Sequence, residues 1–307
     1  MFTIVGSGFG LYGYLPALIE CFGEPVVLPL GYREKIAARP ELAGYLAQVR
    51  WVPDPESALA AATGVVIANA PLVQPEVVAR CLELSAMKVL VLEKPLAATP
   101  ELAGRLLEDL KRSGKRFRIG YTLLDTVWGH GFLLPRSAEG NGKVTITWTF
   151  MAHHFSKSLQ NWKRDHAQGG GVLRFFGIHL VALLARHGYR DVELSMLHGE
   201  NANQPERWTA EFSGADLPVC RVAVDSRSAT DCFRIVLNVD SGSTSPVELR
   251  EPFALEASEP PGADRRVRVL KHLLDTFQES DEEYLAFYGE VNRLWQRVEA
   301  VSTFSVK

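Results

Sequence analysis

The chain has no excess of positive charge, so one large class of function is excluded at the outset. Of its 307 residues, 33 are Lys or Arg and 36 are Asp or Glu, which gives a formal net charge of −3. Without an overall basic field, a protein needs a local basic patch to hold nucleic acid. We therefore expect no nucleic acid partner.

Long apolar runs and paired cysteines are also missing. No apolar run approaches the roughly 20 residues that a bilayer-spanning helix requires. The first five residues lead into a glycine-rich turn with no basic leader and no small-residue cleavage site, so we expect no signal peptide. Cys21, Cys81, Cys220 and Cys232 show no Cys-x-x-Cys spacing, which favours reduced thiols over disulfides or a zinc site. These features predict a cytoplasmic protein with no membrane partner and no metal.

Short apolar runs alternate with helical patterns over the first 120 or so residues. The sequence places these runs at 2–5, 25–30, 65–69, 88–92 and 117–121, and the helical patterns at 14–22, 34–47, 75–84 and 100–113. Strict alternation predicts a parallel sheet with helices on both faces, and unbroken apolar strands are typical of such sheets. Residues 1–122 are therefore predicted to form an α/β dinucleotide-binding (Rossmann) domain.

The pattern changes after about residue 125. Strand patterns at 143–153, 192–197, 208–212, 219–224 and 233–239 are joined by only one helical pattern, at 172–187. This arrangement predicts a mainly antiparallel open sheet. Helical patterns at 265–279 and 282–301 close the chain, and 241–246 and 259–262 are predicted as surface loops. Residues 123–307 are predicted to form an α+β domain for substrate binding and oligomerisation, with its closing helices at 265–301.

A glycine-rich turn, Gly6-Ser7-Gly8-Phe9-Gly10-Leu11, stands between the first strand and the first helix. Glycine lets the chain bend sharply and lets its backbone approach a pyrophosphate, while the helix N-terminus supplies N–H groups and a positive dipole end. Leu11 stands where the third glycine is usual. Directly after an N-terminal strand, this pattern predicts a dinucleotide site. The alternative is a purely structural turn.

The end of the second strand bears on the choice of cofactor. Enzymes that prefer NAD usually carry an acidic residue there for the ribose hydroxyls, but this chain has Leu30-Gly31-Tyr32-Arg33. The Arg33 guanidinium suits a 2′-phosphate. We therefore predict NADP(H) as the preferred cofactor and NAD(H) as the second choice. The alternative is a solvated Arg33 that merely opens the next helix beside Glu34.

Glu93-Lys94-Pro95 follows a buried strand, at a place where open α/β sheets bind ligands. This strand, the Glu-Lys-Pro triplet and the long helix after it resemble the signature of the Gfo/Idh/MocA oxidoreductases, the family of glucose–fructose oxidoreductase and inositol dehydrogenase. Further blocks in the same order extend the resemblance over most of the chain: Gly6–Gly10 with Leu15-Pro16-Ala17-Leu18, then Asn69-Ala70-Pro71, then Gly169-Gly170-Gly171-Val172-Leu173 continuing to Gly177-Ile178-His179.

The resemblance implies hydride transfer between a nicotinamide and a hydroxyl or carbonyl carbon of a small sugar-like substrate. Lys94 would donate to the substrate oxygen, Pro95 would follow a cis peptide bond, and His179 would be the acid–base partner. The alternatives are a surface lysine and a core histidine. The cofactor contacts that the resemblance and the turn imply are Gly6, Gly8, Phe9, Gly10, Leu11, Arg33, Asn69, Pro71, Glu93, Lys94 and Pro95.

The sequence departs from the family pattern at the substrate site. Many dehydrogenases of the family carry an aspartate one helical turn before the histidine, where it orients the imidazole. Phe175 stands at that position, which predicts a drier pocket or one that stacks against a ring. Tyr121 lacks the Asn and Arg that often follow it, and Gln74 stands where histidine is common. Both departures predict a divergent substrate.

A segment before the glycine triplet supplies further candidates. Trp162, Lys163 and Arg164 resemble a Trp-Arg segment that packs near the family's active site, so they join Tyr121 and Phe175 as predicted substrate contacts. The alternative is a solvated loop anchored by the tryptophan. Asp165 is a weaker candidate to replace the lost carboxylate. His153 and His154, adjacent on a predicted strand, would point to opposite faces and so would not share a metal.

Three functions remain open. The first is an oxidoreductase, and a lysine acting alone favours reduction of a keto group or imine over oxidation of an alcohol. The second is a catalytically impaired dinucleotide-binding sensor or assembly partner, which Phe175 favours and the intact Glu93-Lys94-Pro95 and His179 oppose. The third, a lyase or hydrolase that uses transient oxidation, has no residue in its favour. Helices should cover one face of the open antiparallel sheet, and the resemblance implies that the other face forms a subunit interface, which predicts a homodimer or a higher even homo-oligomer.

Overall fold

The computed structural model describes residues 1–131, 142–239, 242–254 and 264–306. The strands are β1 (Phe2–Val5), β2 (Val26–Pro29), β3 (Val49–Val52), β4 (Gly64–Ile67), β5 (Val89–Leu92), β6 (Arg116–Ile119), β7 (Lys143–Met151), β8 (Asp191–Gly199), β9 (Arg207–Ser213), β10 (Val219–Asp225), β11 (Arg227–Val239), β12 (Gly242–Leu249) and β13 (Ser302–Val306). The helices are α1 (Leu15–Phe22), α2 (Arg33–Ala37), α3 (Pro40–Ala43), α4 (Pro55–Ala61), α5 (Gln74–Glu83), α6 (Pro100–Ser113), α7 (Val127–Gly131), α8 (His153–Ser156), α9 (Ile178–Arg186), α10 (Val267–Asp275) and α11 (Asp281–Val301). Two π-helical turns, Gly10–Tyr14 and Val172–Gly177, lead directly into α1 and α9.

Contacts divide the chain into two compact units. The first contains Met1–Ala97, Arg105–Asp125 and the described part of 255–285, and the second contains Ala98–Gly104, the described part of 126–254, and the chain from Ala286 onward. The chain enters the second unit briefly at Ala98–Gly104 and again after Asp125. The first unit also contains α10, which the sequence analysis assigned to the second domain.

The first unit is built on a six-stranded sheet of order β3-β2-β1-β4-β5-β6, and every pairing in it is parallel. The order reverses between β1 and β4, as in a Rossmann fold. All four residues of β4 are buried, which is typical of a strand covered on both faces. The predicted α/β fold of this region is confirmed. Leu15 and Leu18 of α1 share the hydrophobic core with Leu270 and Leu274 of α10.

One sequence prediction in this unit was wrong, and two elements of it were missed. The helical pattern at 34–47 is broken into α2, α3 and a 3₁₀ turn at Leu46–Gln48, because Pro40 cannot continue a helix and disfavours helical geometry in the residue before it. Strand β3 and helix α4 were not predicted. Only Val49 of β3 is fully buried, since β3 is an edge strand, so it lacks the continuous apolar run that marked the others.

The second unit contains a seven-stranded sheet of order β12-β11-β7-β10-β9-β8-β13. Most pairings are antiparallel, whereas β10 pairs with β7 and β13 pairs with β8 in parallel. This mixed, mainly antiparallel sheet confirms the predicted class. The π-helical turn at Val172–Gly177 packs on this sheet, and a Cβ on Gly177 would lie 2.7 Å from the Trp208 ring.

Other predictions for this unit need correction. Residues 242–246 belong to β12 and not to a loop; β12 is an edge strand rich in exposed polar residues, and β13 at the other edge was not predicted. The predicted loop at 259–262 lies outside the described residues. β7 ends at Met151, and His153 and His154 lie on the helical turn α8, so the argument from a strand does not apply to them.

By length and composition alone, one helical stretch, His166–Arg186, would suffice to cross a membrane. Because 78% of its most apolar window is buried within the protein, it equally fits a core helix, and it is weak evidence for a membrane span.

The four cysteines are free thiols. Burial raises the pKa of Cys21 and of Cys81 to about 11, and it also raises the pKa of Cys220. Among the described residues, no group of three or more His, Cys, Asp or Glu side chains could hold a metal ion.

Candidate functional site

The carboxyl ends of the parallel strands meet at one edge of the first unit's sheet. The glycine-rich turn follows β1, Asn69-Ala70-Pro71 follows β4, Glu93-Lys94-Pro95 follows β5, and Tyr121 comes after β6. Open α/β sheets bind ligands at this edge, in the crevice where the strand order reverses. Here that point lies between β1 and β4, so the topology brings the predicted cofactor residues of this unit to one place.

The glycines of the turn have different tasks. Gly6 has a φ of +127°, and a Cβ there would lie 2.4 Å from the Ala68 carbonyl oxygen. A Cβ on Gly10 would lie 2.9 Å from Ile4 Cγ2. At Gly8, a Cβ would meet no atom within 4 Å. Gly6 and Gly10 therefore serve the packing of the chain, whereas Gly8 leaves open space, as a cradle for a pyrophosphate requires.

Phe9 and Leu11 contribute to the turn mainly through packing. A Cβ on Gly13 would lie 2.4 Å from the Phe9 ring, so the ring lies directly on the first helical turn. Leu11 is buried in the core, and its N–H donates to the Gly8 carbonyl at 3.0 Å. The Leu11 side chain is thereby committed to the core.

Two residues after β2 contact the glycine-rich turn. The Gly6 N–H donates to the Tyr32 hydroxyl at 3.2 Å, and the Lys35 ammonium donates to Ser7 Oγ at 3.0 Å. Arg33 is exposed. The sequence analysis selected Arg33 and missed Lys35, because a basic residue in a short helix usually belongs to its solvated face.

A distant arginine also reaches the turn. The Arg266 guanidinium lies 4.0 Å from the centroid of the Phe9 ring and pairs with Asp264 at 3.0 Å. No local pattern could have revealed this contact, because Arg266 belongs to the C-terminal segment that joins the first unit.

Glu93 is tied to the helical turn after β1. The Tyr14 hydroxyl donates to Glu93 Oε1 at 2.6 Å. Burial raises the pKa of Glu93, while the positive charges of Lys94 and Arg266 and the hydrogen bond from Tyr14 act against that rise. A Cβ on Gly120 would lie 3.0 Å from both oxygen atoms of this pair, which explains a glycine after β6. The Lys94–Pro95 peptide bond is cis, as the resemblance implied.

Gln74 holds the backbone of the Glu-Lys-Pro segment. It is fully buried, and its Nε2 donates to the carbonyl oxygens of Glu93 at 2.8 Å and Leu96 at 2.9 Å. Its role is therefore positional. The Asn69 Oδ1 is buried and has no hydrogen-bond partner within the described chain. Buried acceptors are normally satisfied, so this atom fits a site that a ligand donor completes.

Tyr121 is the predicted substrate contact that belongs to this unit. Its side chain is buried after β6, and burial raises its pKa. The phenol is therefore neutral at physiological pH.

The remaining predicted site residues lie in the second unit. His179 is buried in the first turn of α9, with its ring 6.2 Å from that of Phe253. Phe175, in the π-helical turn before α9, meets the Trp162 ring edge-on at 5.3 Å, and the Lys163 ammonium lies 5.4 Å from its centroid. The structure thus brings Phe175, Trp162 and Lys163 together.

Two cations and a neutral histidine flank this cluster. The Arg164 guanidinium lies 4.7 Å from the centroid of the Phe155 ring. Burial, together with the charges of Lys163 and Arg164, lowers the pKa of His154 to about 4. His154 is therefore uncharged at physiological pH, and it stacks on Phe176 with ring centroids 6.0 Å apart.

The glycine triplet before α9 lets the chain approach its own backbone. A Cβ on Gly170 would lie 2.1 Å from the Trp162 carbonyl oxygen. Gly171 has a φ of +73°, and its N–H donates to the Lys163 carbonyl at 2.9 Å. The triplet therefore places Trp162 and Lys163 against the π-helical turn. The Asp165 carboxylate caps the next turn, accepting from the Ala167 N–H at 2.9 Å.

An ion pair that the sequence analysis missed anchors the π-helical turn. Arg174 donates to Glu299 at 2.7 Å and to the carbonyl oxygens of Ala98 at 3.0 Å and His166 at 2.8 Å. Burial alone would raise the pKa of Glu299, but its hydrogen bonds to His166 and Arg174 lower it to about 2. Arg174 thus fixes the backbone beside Phe175.

No protein-family model matches the chain, and no curated protein matches its sequence. Solved structures match its fold. KijD10, a 3-ketoreductase from Actinomadura kijaniata in complex with NADP and TDP-benzene, is 12% identical with a TM-score of 0.71, covering 100% of this chain and 98% of that one. The WlbA dehydrogenase from Bordetella pertussis, in complex with NADH and UDP-GlcNAcA, is 16% identical with a TM-score of 0.65, covering 98% and 93%.

A third match is the UDP-N-acetylglucosamine 3-dehydrogenase GnnA from Acidithiobacillus ferrooxidans. It is 14% identical with a TM-score of 0.65, and the match covers 98% of this chain and 95% of that one. At these identities the likeness establishes the fold, a Rossmann domain combined with a mainly antiparallel sheet domain.

Proposed function

We propose that this chain is an NAD(P)-dependent oxidoreductase of the Gfo/Idh/MocA type that transfers a hydride between nicotinamide and a hydroxyl or carbonyl carbon of a sugar-like substrate. One observation carries the proposal: the open space at Gly8 lies at the point where the strand order of a Rossmann sheet reverses. Lys94 lies at the carboxyl end of β5, on the same edge of that sheet. The three fold neighbours, each a nicotinamide-binding or sugar-converting enzyme by description, support it.

The first unit has the residues to hold the cofactor. The backbone from Gly6 to Leu11 would bind the pyrophosphate, while Asn69 and Pro71 would border the nicotinamide half. When bound, the nicotinamide supplies or accepts the hydride. Lys94 would exchange a proton with the substrate oxygen. Gln74 and the Tyr14–Glu93 pair fix the backbone on which Lys94 stands.

The residues of the second unit bear on the class of substrate and on whether the reaction is a reduction or an oxidation. Phe175 replaces the carboxylate that would orient His179, so Lys94 carries more of the proton transfer, and His179 assists it. A protonated lysine favours reduction of a ketone or imine. Aromatic rings and two cations at Trp162, Lys163, Arg164 and Phe175 suit a substrate with a ring system and negative charge, and we propose that Tyr121 adds a contact. Nucleotide sugars have both features.

Two titrations and one assay test the proposal. We expect NADPH or NADH to bind the wild-type chain with a change in fluorescence. Lys94→Ala should retain that binding but lose roughly a hundredfold or more in turnover of nucleotide-linked ketosugars, as expected for removal of a general acid. No binding of either nucleotide would overturn the proposal.

A catalytically impaired sensor is the second candidate, and Phe175 is the observation that favours it. It predicts nucleotide binding without turnover, and restoration of the carboxylate by Phe175→Asp would then leave the chain inactive. Gain of activity in Phe175→Asp would argue for a working site limited by that residue.

We also propose that the chain forms a homodimer or higher even oligomer through the exposed face of the second sheet. Thr145, Thr147 and Thr149 of β7 lie half-buried on this face, and the apolar residues between them are buried on the opposite face. A strictly monomeric species in light scattering at micromolar concentration would contradict this.

A further inference from the structure

A hydroxyl and a carboxylate form a close pair directly beside Lys94. The Tyr14 hydroxyl donates to Glu93 Oε1 at 2.6 Å, a length typical of a charge-assisted hydrogen bond to a carboxylate. Tyr14 is fully buried, and Glu93 immediately precedes Lys94 in the chain. The pair therefore lies next to the residue that would exchange a proton with the substrate.

Two other residues restrict the position of this pair. Gln74 Nε2 donates to the Glu93 carbonyl oxygen at 2.8 Å, which fixes the backbone at that residue. Gly120 lies so close that a Cβ there would be 3.0 Å from both the Tyr14 hydroxyl oxygen and Glu93 Oε1. The surroundings thus hold the Glu93 side chain in the orientation in which it accepts from Tyr14.

The charge of Glu93 depends on its partners. Burial raises the pKa of its carboxyl group, and the charge of Lys94, the hydrogen bond from Tyr14 and the charge of Arg266 act against that rise. Burial, Glu93 and Asp125 raise the pKa of Tyr14, with Arg266 acting against them, so the phenol stays neutral. Because a neutral hydroxyl donates to the carboxylate, loss of this hydrogen bond would make Glu93 easier to protonate.

An interaction between two opposite charges favours the charged form of both groups. The Lys94 ammonium favours the ionised form of Glu93, so the Glu93 carboxylate equally favours the protonated form of Lys94. A lysine that acts as an acid must carry a proton to give to the substrate oxygen, and it must regain one from solvent before the next turnover. The state of Glu93 therefore bears on the fraction of molecules that are ready to react.

We propose that Tyr14 and Glu93 are positioning residues that keep Lys94 protonated: the Tyr14 hydroxyl keeps Glu93 ionised, and the Glu93 carboxylate keeps the proton on Lys94. Lys94 remains the residue that meets the substrate. The catalytic meaning of this inference rests on the proposed function, but the charge of Lys94 can be measured without substrate or cofactor.

The first test measures that charge directly. In a chain labelled with carbon-13 lysine, the side-chain resonance of Lys94 is followed by NMR as the pH is raised, and its absence from Lys94→Arg assigns it. Glu93→Gln can still accept from Tyr14 but has no charge, so the midpoint of the Lys94 titration should fall by about one pH unit or more. Tyr14→Phe should lower it by a smaller amount, because Tyr14 acts through Glu93.

Tyr189→Phe is the matched control. Tyr189 is also fully buried, and its hydroxyl donates to the Pro218 carbonyl oxygen at 2.7 Å in the second unit. Since this variant also loses a buried tyrosine hydroxyl and its hydrogen bond, its stability should fall about as much as that of Tyr14→Phe. The Lys94 titration should be unchanged in it.

The second test is the pH dependence of turnover with a nucleotide-linked ketosugar. If reduction requires protonated Lys94, the alkaline limb of the profile should move to lower pH in Glu93→Gln and, by less, in Tyr14→Phe. Activity should then recover as the pH is lowered. A merely structural role would instead lower the rate by the same factor at every pH.

The outcomes separate this inference from the function on which it rests. An unchanged Lys94 titration in Glu93→Gln overturns the inference and leaves the proposed function standing. Equal titration shifts in Tyr14→Phe and Tyr189→Phe overturn the role given to Tyr14. A shifted titration in a chain that binds neither NADPH nor NADH supports the link between Glu93 and Lys94 and overturns the proposed function alone.

Discussion

The chain contains two glycine-rich turns that look alike in sequence and are used in opposite ways. In the first unit, a Cβ on Gly8 would meet no atom within 4 Å, whereas in the second unit a Cβ on Gly170 would lie 2.1 Å from a carbonyl oxygen. One glycine leaves space for another molecule, and the other leaves space for the protein's own backbone. A glycine motif therefore indicates a ligand only where the space of its missing side chain stays empty.

Gly170→Ala fills the space that the glycine-rich turn of the second unit leaves for its own backbone. It should cause the largest loss of stability. The new methyl group would meet the backbone of Trp162 and Lys163, which cannot move aside as a flexible side chain does. We expect the free energy of unfolding to fall by about 3 kcal/mol or more, measured by urea denaturation. A change within about 1 kcal/mol would show that this backbone adapts easily.

The ion pair beside that turn should have the next largest effect. Glu299→Gln removes the charge that pairs with the largely buried Arg174, whose side chain is 11% exposed, and we expect a loss of about 3 kcal/mol at pH 7. The pKa of Glu299 is about 2 in the folded chain and near its ordinary value of about 4.3 when unfolded. Its stabilisation is therefore complete above that ordinary value and is lost as the pH falls toward the folded pKa.

The difference between wild type and Glu299→Gln should consequently shrink by more than half between pH 7 and pH 3, which urea denaturation at the two pH values would measure. A difference that is the same at both values would contradict the assigned pKa.

In the first unit, the backbone of the candidate site is held by a polar side chain, Gln74, so replacing that side chain extends the comparison between the two units. Gln74→Leu keeps the volume but removes the donor from the carbonyl oxygens of Glu93 and Leu96, and should cost about 2 kcal/mol. Thermal unfolding measures this, with Gln48→Leu as the control. Since Gln48 is exposed, its replacement should change stability by no more than about 0.5 kcal/mol. Equal effects of the two substitutions would refute the role given to Gln74.

Gly8→Ala should have the smallest effect on stability and a clear effect on binding. Its φ is not positive and the space around it is open, so we expect the free energy of unfolding to stay within about 1 kcal/mol of the wild type. Dinucleotide affinity should fall roughly tenfold or more, because a methyl group there keeps the backbone from the pyrophosphate. Isothermal titration calorimetry measures this affinity. Unchanged affinity would mean that the dinucleotide does not bind in the open space at Gly8.

Sequence patterns predicted the central strands of both sheets well, but of the four edge strands they predicted only β6 and missed β3, β12 and β13. In the first sheet a central strand such as β4 is buried along its whole length, and in the second sheet β9 and β10 alternate buried apolar with exposed residues. The edge strands β3 and β12 have mixed or polar residues because one side is exposed. Hydrophobic periodicity reports burial, so a strand that is little buried gives little signal.

The same limit applies to the candidate site. The glycine-rich turn, Lys94 and His179 stand in local motifs and were predicted from them. Arg266 at the Phe9 ring and Glu299 at Arg174 depend on contacts between distant parts of the chain, the second across 125 positions. Composition and spacing do not specify which distant residues pair, because that choice is made by tertiary packing.

The buried thiols have a practical consequence for chemical modification. With pKa values of about 11, Cys21 and Cys81 carry a thiolate in only about one molecule in ten thousand at neutral pH. Burial raises the pKa of Cys220 as well and so suppresses its thiolate form. Maleimides and mild oxidants react with the thiolate form, so these three residues should react slowly. Cys232, half-buried on β11, is then the natural attachment point for a single dye, and the wild-type chain can be labelled in its second unit without any engineered cysteine.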